Sequence, residues 1–107
     1  MRTDAIAFRL STPADDDALR ALLREAALPV EDVSTGRQEY VLALEGERLV
    51  GSVGLEIAGE DALARSLAVS PRHRDRGLGA ALTERVLALA ALRGVRSVYV
   101  LTTTAEA

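Results

Sequence analysis

Residues 67–82 read Leu-Ala-Val-Ser-Pro-Arg-His-Arg-Asp-Arg-Gly-Leu-Gly-Ala-Ala-Leu, and this stretch constrains the chain more than any other. A short apolar strand is expected to end at Pro71. A basic turn punctuated by glycine follows and runs directly into a helix. The first turn of a helix carries backbone N–H groups with no intrahelical acceptor, and the aligned peptide dipoles add partial positive charge there. Glycine lets an anion approach the backbone closely. Arg72, Arg74 and Arg76 add guanidinium charge, and arginine can grip a phosphate in bidentate fashion. This order of parts predicts an anion site suited to the pyrophosphate of a nucleotide-like cofactor.

The rest of the chain narrows what that site can serve. With 107 residues, one domain is expected. Apolar residues make up 49% of the chain but aromatics only 3% (Phe8, Tyr40 and Tyr99), so the core must be built from Leu, Val, Ile and Ala. The net charge of −3 argues against general nucleic-acid binding, and a basic cluster on an acidic chain points to a small anion. Without cysteine, disulfides and thiolate zinc sites are excluded. A single histidine, His73, excludes a multi-histidine metal site. No run approaches the ~20 apolar residues that span a bilayer. The start, Met1-Arg2-Thr3-Asp4, has an acid and no apolar segment, so it does not read as a signal peptide, and a cytoplasmic location follows by default.

The predicted elements run in the order β-α-β-β-β-α-β. Residues 5–10 form a first strand. Thr12-Pro13-Ala14-Asp15 opens a helix, with Thr12 as N-cap, Pro13 at the first helical position and Asp15 completing a capping-box-like pair. Leu19, Leu22, Leu23 and Ala26 recur at helical spacing until Pro29. Residues 40–45 and 48–57 form two strands about a tight turn at Gly46, and 62–69 a third, giving an antiparallel meander. Residues 79–93 form the clearest helix, with Leu78, Leu82, Val86 and Leu89 on one face and Gly94 as its stop. Residues 97–101 form the last strand. The fold class is α+β: a mixed, mostly antiparallel sheet flanked by helices.

Spacing decides which anion site this is. There is no G-x-x-x-x-G-K-[ST]. Gly77-Leu78-Gly79 begins a dinucleotide fingerprint, but the third small residue it needs falls on Leu82. The chain instead has R-x-x-G-x-G at Arg74, Gly77 and Gly79, after an L-A-V strand end and a proline. That combination resembles motif A of the GNAT superfamily of N-acetyltransferases, and the element order resembles that family's core over most of the chain. The resemblance implies acetyl-CoA as acyl donor. Backbone groups of the strand Leu67-Ala68-Val69 would pair with its pantetheine arm. The amides of Arg74, Asp75, Arg76, Gly77, Leu78, Gly79 and Ala80 would surround the pyrophosphate, with Arg72, Arg74 and Arg76 offsetting its charge. Many members place glycine where this chain has Asp75, a residue that tolerates left-handed backbone. The segments Arg65–Val69, Leu28–Asp32 and Leu101–Ala105 are similar to the GNAT branch found in arsenic-resistance operons.

Amine acetylation needs a neutral amine, a base to take its proton and a donor for the developing oxyanion. Many relatives carry a glutamate base on the fourth strand, but Leu63-Ala64-Arg65-Ser66 has none. Glu56, on the preceding strand and opposite in pleat to Leu55 and Ile57, is the candidate base, or else an exposed strand glutamate. Arg65, with Ser66 beside it, is the candidate contact for a small-molecule amine substrate, or else one half of an internal ion pair. Thr102 falls where many relatives have a cofactor-contacting Asn. His73 is expected to be solvated. One His and no Cys favour direct transfer over an acetyl-enzyme.

Relatives continue past Ala107 through a further helix and two strands, so the resemblance implies a C-terminally truncated family domain over 1–107. The uncovered last strand would favour pairing with another chain, as in a homodimer. The alternative to an enzyme is a non-catalytic acyl-CoA-binding module or degenerate fragment.

Overall fold

The computed structural model describes residues 5–100. The elements are β1 (Ile6–Leu10), α1 (Asp16–Glu25), β2 (Glu39–Glu45), β3 (Arg48–Ala58), β4 (Asp61–Val69), α2 (Leu78–Leu92) and β5 (Ser97–Val100), with 3₁₀ turns at Pro13–Asp15 and Pro71–His73. This is the predicted order. The strands form one sheet in chain order, antiparallel from β1 to β4 and parallel between β4 and β5. Asp15 closes the start of the first helical segment: the Thr12 amide donates to its Oδ2 at 2.7 Å, and Arg9 binds both carboxylate oxygens at 2.8 and 2.9 Å. No helix among the described residues is long and apolar enough to cross a membrane.

Strand alternation builds two cores. On one face Val41, Ala43, Val53, Leu55, Ala62 and Ala64 meet Leu78, Leu82, Val86 and Leu89 of α2. On the other, Tyr40, Leu42, Leu44 and Ala68 meet Leu19, Leu22 and Leu23 of α1. Both faces of β2 are covered, so its side chains are buried in an unbroken run from Tyr40 to Leu44. Tyr40 is the one aromatic residue among the buried core side chains, as the composition required.

Two local features set up the site. The first is the close seating of α2 on β3. A Cβ at Gly51 would lie 2.9 Å from Leu82 Cδ1 and 3.4 Å from Leu78 Cδ2, so only glycine lets the helix start this close to the sheet. The second is an irregularity in β4. The β3–β4 register shifts between Ser52 and Gly54, and Ser66 takes φ +61°. In a regular strand Ala64 and Ala68 would share a face; the irregularity sends Ala64 to the α2 core and Ala68 to the α1 core. Among the described residues, β4 pairs with β5 only from Asp61–Ser97 to Ala64–Val100.

Candidate functional site

The turn after β4 has the backbone an anion site needs. Pro71–His73 is a 3₁₀ turn, Arg74 is extended, Asp75 is left-handed at φ +64°, and Gly77 caps α2 at φ +80°. A glycine cap has no side chain to satisfy the amides that follow it. The first helical bond at this end runs from Ala81 N–H to Gly77 O at 3.0 Å. Among the described residues, the amides of Leu78, Gly79 and Ala80 therefore have no acceptor. Beside them lies a groove of about 330 Å³ lined by Leu67, Val69, Arg74, Asp75, Gly77 and Gly79, together with Leu78 and the edge of His73. A Cβ at Gly79 would meet only Leu67 Cδ2, at 3.8 Å, so the space over the helix mouth is open. Unpaired amides, a helix start and an open approach fit a phosphate-bearing group.

The structure rearranges several of the predicted contacts. Of the three arginines, only Arg74 lines the groove. Arg76 lines a separate cavity of about 240 Å³ on the β1 side, with Ile6, Phe8 and Ala81, while Arg72 is exposed and lines neither. The cause is the backbone: a 3₁₀ turn and the left-handed Asp75 turn successive side chains in different directions. Arg74 also spends its Nε–H on the Val69 carbonyl at 3.1 Å, an oxygen expected to be free for strand-like pairing. Ala68 is buried in the α1 core and does not line the groove, because the β4 irregularity turns it inward. Ala80 is exposed, so its amide is what it can offer. Thr102 lies outside the described residues.

His73 is not solvated. It is 8% exposed, its Nε2 sits 3.1 Å from Glu45 Oε1, and its Nδ1 is buried without a partner. The bond from His73 N–H to Ser70 O, 2.8 Å, folds the turn back and carries the ring under it to the end of β2. Sequence reading missed this contact because Glu45 is 28 positions away.

On the α1 face, the candidate base and the candidate substrate contact are brought together. Arg65 Nη1 donates to Glu56 Oε1 at 3.1 Å, and its Nη2 lies 3.9 Å from Asp32 Oδ2. Arg65 pairs with Gly54 across the strands, which sets Glu56 diagonally opposite on the same face. Glu56 does point away from the apolar face shared by Leu55, but one of its oxygens is engaged. Ser66, half-exposed, holds the left-handed backbone between Arg65 and Leu67.

Tyr40 and Asp32 join this group although neither was singled out from sequence. Tyr40, Gly54 and Arg65 form one cross-strand row. A Cβ at Gly54 would lie 2.2 Å from Gln38 Oε1 and 3.1 Å from Tyr40 Cε2, so the side-chain-free position is filled by its neighbours. A glycine inside a strand marks such close approach, and Gly54 was the available signal. Burial raises the Tyr40 phenol above its ordinary pKa, and the nearby Asp32 carboxylate adds to the rise.

The model of the acetyltransferase (GNAT) family matches residues 6–107. The chain belongs to this family. Its fold is similar to that of a ribosomal-protein-alanine N-acetyltransferase from Brucella melitensis biovar Abortus 2308, with a TM-score of 0.81, 19% identity, and coverage of 92% of this chain and 81% of that one. It is also similar to an aminoglycoside acetyltransferase from an uncultured soil metagenomic sample, solved in complex with trehalose, with a TM-score of 0.79, 15% identity, and coverage of 94% and 80%. A second aminoglycoside acetyltransferase from such a sample gives 0.74, 23%, and coverage of 94% and 81%. At these identities the likeness shows the GNAT fold. No curated protein matches the chain. The expected kinship with the arsenic-resistance branch gains no support from these findings.

Proposed function

We propose that this GNAT chain is an N-acetyltransferase that passes the acetyl group of acetyl-CoA directly to the amine of a small molecule. The observation that carries this reading is the row of unpaired amides from Leu78 to Ala80 beside an open groove at the end of β4. When bound, acetyl-CoA supplies a thioester whose acyl group an amine can attack. The Gly77–Ala80 backbone would hold its diphosphate, Arg74 would add charge from its terminal nitrogens, and Leu67 and Val69 would line the path of its arm. Transfer without an acetyl-enzyme is favoured because the chain has no cysteine and its one imidazole is occupied at Glu45. Glu56 is the candidate to receive the amine proton, directly or through water, with Arg65 orienting its carboxylate.

A second reading, a CoA-binding module without turnover, draws on the Arg65–Glu56 ion pair, which engages the candidate base. Two measurements separate the readings. Calorimetry should show binding of acetyl-CoA and weaker binding of an analogue that lacks the diphosphate. Thiol release should then rise with added amines and fall in Glu56→Gln. Binding with no release for any amine leaves the second reading; no binding at all removes both.

A further inference from the structure

We infer that the cavity between β1 and the start of α2 binds a small apolar hydroxy acid, with Arg76 taking its carboxylate and the His73 ring its hydroxyl. The buried face of α2 meets β2, β3 and β4, and β1, at the edge of the sheet, is left partly uncovered. Ile6 and Phe8 are therefore only half-buried, and with Leu78 and Ala81 of α2 they give the cavity an apolar lining. Its volume of about 240 Å³ lies below the roughly 300 Å³ at which pockets for drug-sized molecules begin, so its occupant is smaller. Two polar groups interrupt the apolar lining. Arg76 has no ion pair among the described residues. His73 is 8% exposed, and its Nδ1 is buried with no partner among the described residues.

The two polar groups ask for different partners. A guanidinium only donates, and its fork matches a carboxylate with two parallel bonds. The imidazole turns Nε2 to the Glu45 carboxylate at 3.1 Å. An ionised carboxylate only accepts, so Nε2 carries the proton, and Nδ1 of the neutral ring is left as an acceptor. A hydroxyl beside the carboxylate of the occupant supplies the donor that Nδ1 lacks. The surrounding charge favours an anion. Arg76 is joined by Arg85, whose guanidinium lies 4.3 Å from the centre of the Phe8 ring, and by the partial positive charge at the start of α2. Against them stands Glu45, already engaged by His73. The cavity is separate from the groove at the end of β4, but His73, Gly77 and Leu78 wall both. An occupant therefore touches the backbone proposed to hold the diphosphate, and as a like charge it weakens acetyl-CoA binding without excluding it.

Three compounds of one size test this by NMR titration of the protein alone, apart from the acetyltransferase reading. They are 2-hydroxy-3-methylbutanoate, 3-methylbutanoate, which lacks the hydroxyl, and 2-hydroxy-3-methylbutanamide, which lacks the charge. The hydroxy acid should bind roughly tenfold or more tightly than the amide and about threefold or more tightly than the plain acid, with the largest shifts at Ile6, Phe8 and Ala81. Arg76→Gln should bring the hydroxy acid and the amide close to equal affinity. Ala81→Leu, whose side chain fills the cavity, should abolish binding of all three while a thermal melt shows the fold retained. If that variant does not fold, Arg76→Gln still decides. Absence of binding, equal affinity of acid and amide, equal affinity with and without the hydroxyl, or an unchanged preference in Arg76→Gln overturns the inference. Complete displacement of the hydroxy acid by acetyl-CoA also overturns it, because the cavity then belongs to the cofactor site.

Discussion

Replacing Gly79 by alanine should make the protein more stable and a poorer ligand for acetyl-CoA at the same time. Gly79 is the second residue of α2, and its φ is not left-handed, so alanine fits its backbone. The added methyl would touch only Leu67 Cδ2, at an ordinary 3.8 Å. Alanine in place of a helical glycine gains roughly 0.5–1 kcal/mol, chiefly through the unfolded chain. For a domain of this size that raises Tm by about 2–8 °C. The same methyl stands over the unpaired amides, where the proposed acetyl-CoA diphosphate would sit. Losing one hydrogen bond from an amide to a charged oxygen costs about 1.5–3 kcal/mol, or roughly 10- to 150-fold in Kd. Thermal melts and calorimetry with acetyl-CoA read the two effects separately, and Gly79→Val should weaken binding further. A variant that melts higher and binds acetyl-CoA as tightly as the parent would refute the placement of the diphosphate at this helix. A variant that melts lower would refute the reading of the groove as open space.

Other substitutions probe neighbouring parts. Arg74→Ala should weaken acetyl-CoA binding by about 1.5–3 kcal/mol, while Arg72→Ala, whose side chain lines no part of the groove, should change it far less; equal losses in calorimetry would contradict the division of the three arginines. Gly51→Ala should destabilise the fold by about 1–3 kcal/mol in urea denaturation, because the new methyl meets Leu82, which is fully buried and has no room to withdraw. Acid should remove a stabilising contribution of Asp15, whose carboxyl is held below its ordinary value first by the hydrogen bonds from Arg9 and then by the Thr12 amide. A depressed folded-state pKa stabilises above the unfolded value of about 3.9 and is lost as pH falls below it, so the Tm gap between the parent and Asp15→Asn should be present at about pH 6 and shrink below about pH 4. A gap that does not change with pH would rule this out.

The sequence was most legible where information is local. Leu78, Leu82, Val86 and Leu89 announced the buried face of α2 through their spacing, and all four are buried. Thr12 and Asp15 announced the helix start, and the Thr12 amide does bind Asp15. The glycines at 77 and 79 announced an open helix mouth. What was not legible depends on residues distant in the chain or on backbone turns that no periodicity records. Glu45 turns His73 from a solvated ring into a buried one. The left-handed Asp75 separates Arg74 from Arg76, although the two are only two positions apart. The Arg65–Glu56 pair follows from strand register, which the hairpin turns fix only once their lengths are known.

The irregularity at Ser66 divides β4 between the two faces of the sheet. A strand obeying its own alternation would place Ala64, Ser66 and Ala68 on one face, and Arg65, Leu67 and Val69 on the other. Extra backbone at Ser66 breaks that rule, and a serine is held at φ +61° to do it. Such a conformation costs on the order of 1 kcal/mol or more and persists where surrounding structure enforces it. Here β3 enforces it from both sides, pairing Gly54 with Arg65 and Ser52 with Ala68. The result is that Arg65 stays with the carboxylates on the α1 side while Leu67 and Val69 line the groove beside α2. One strand thereby borders two chemically distinct regions, one acidic and one lined by unpaired amides. The proposed transfer would use that adjacency, with the acyl donor over the unpaired amides and the amine approaching from the Glu56 side.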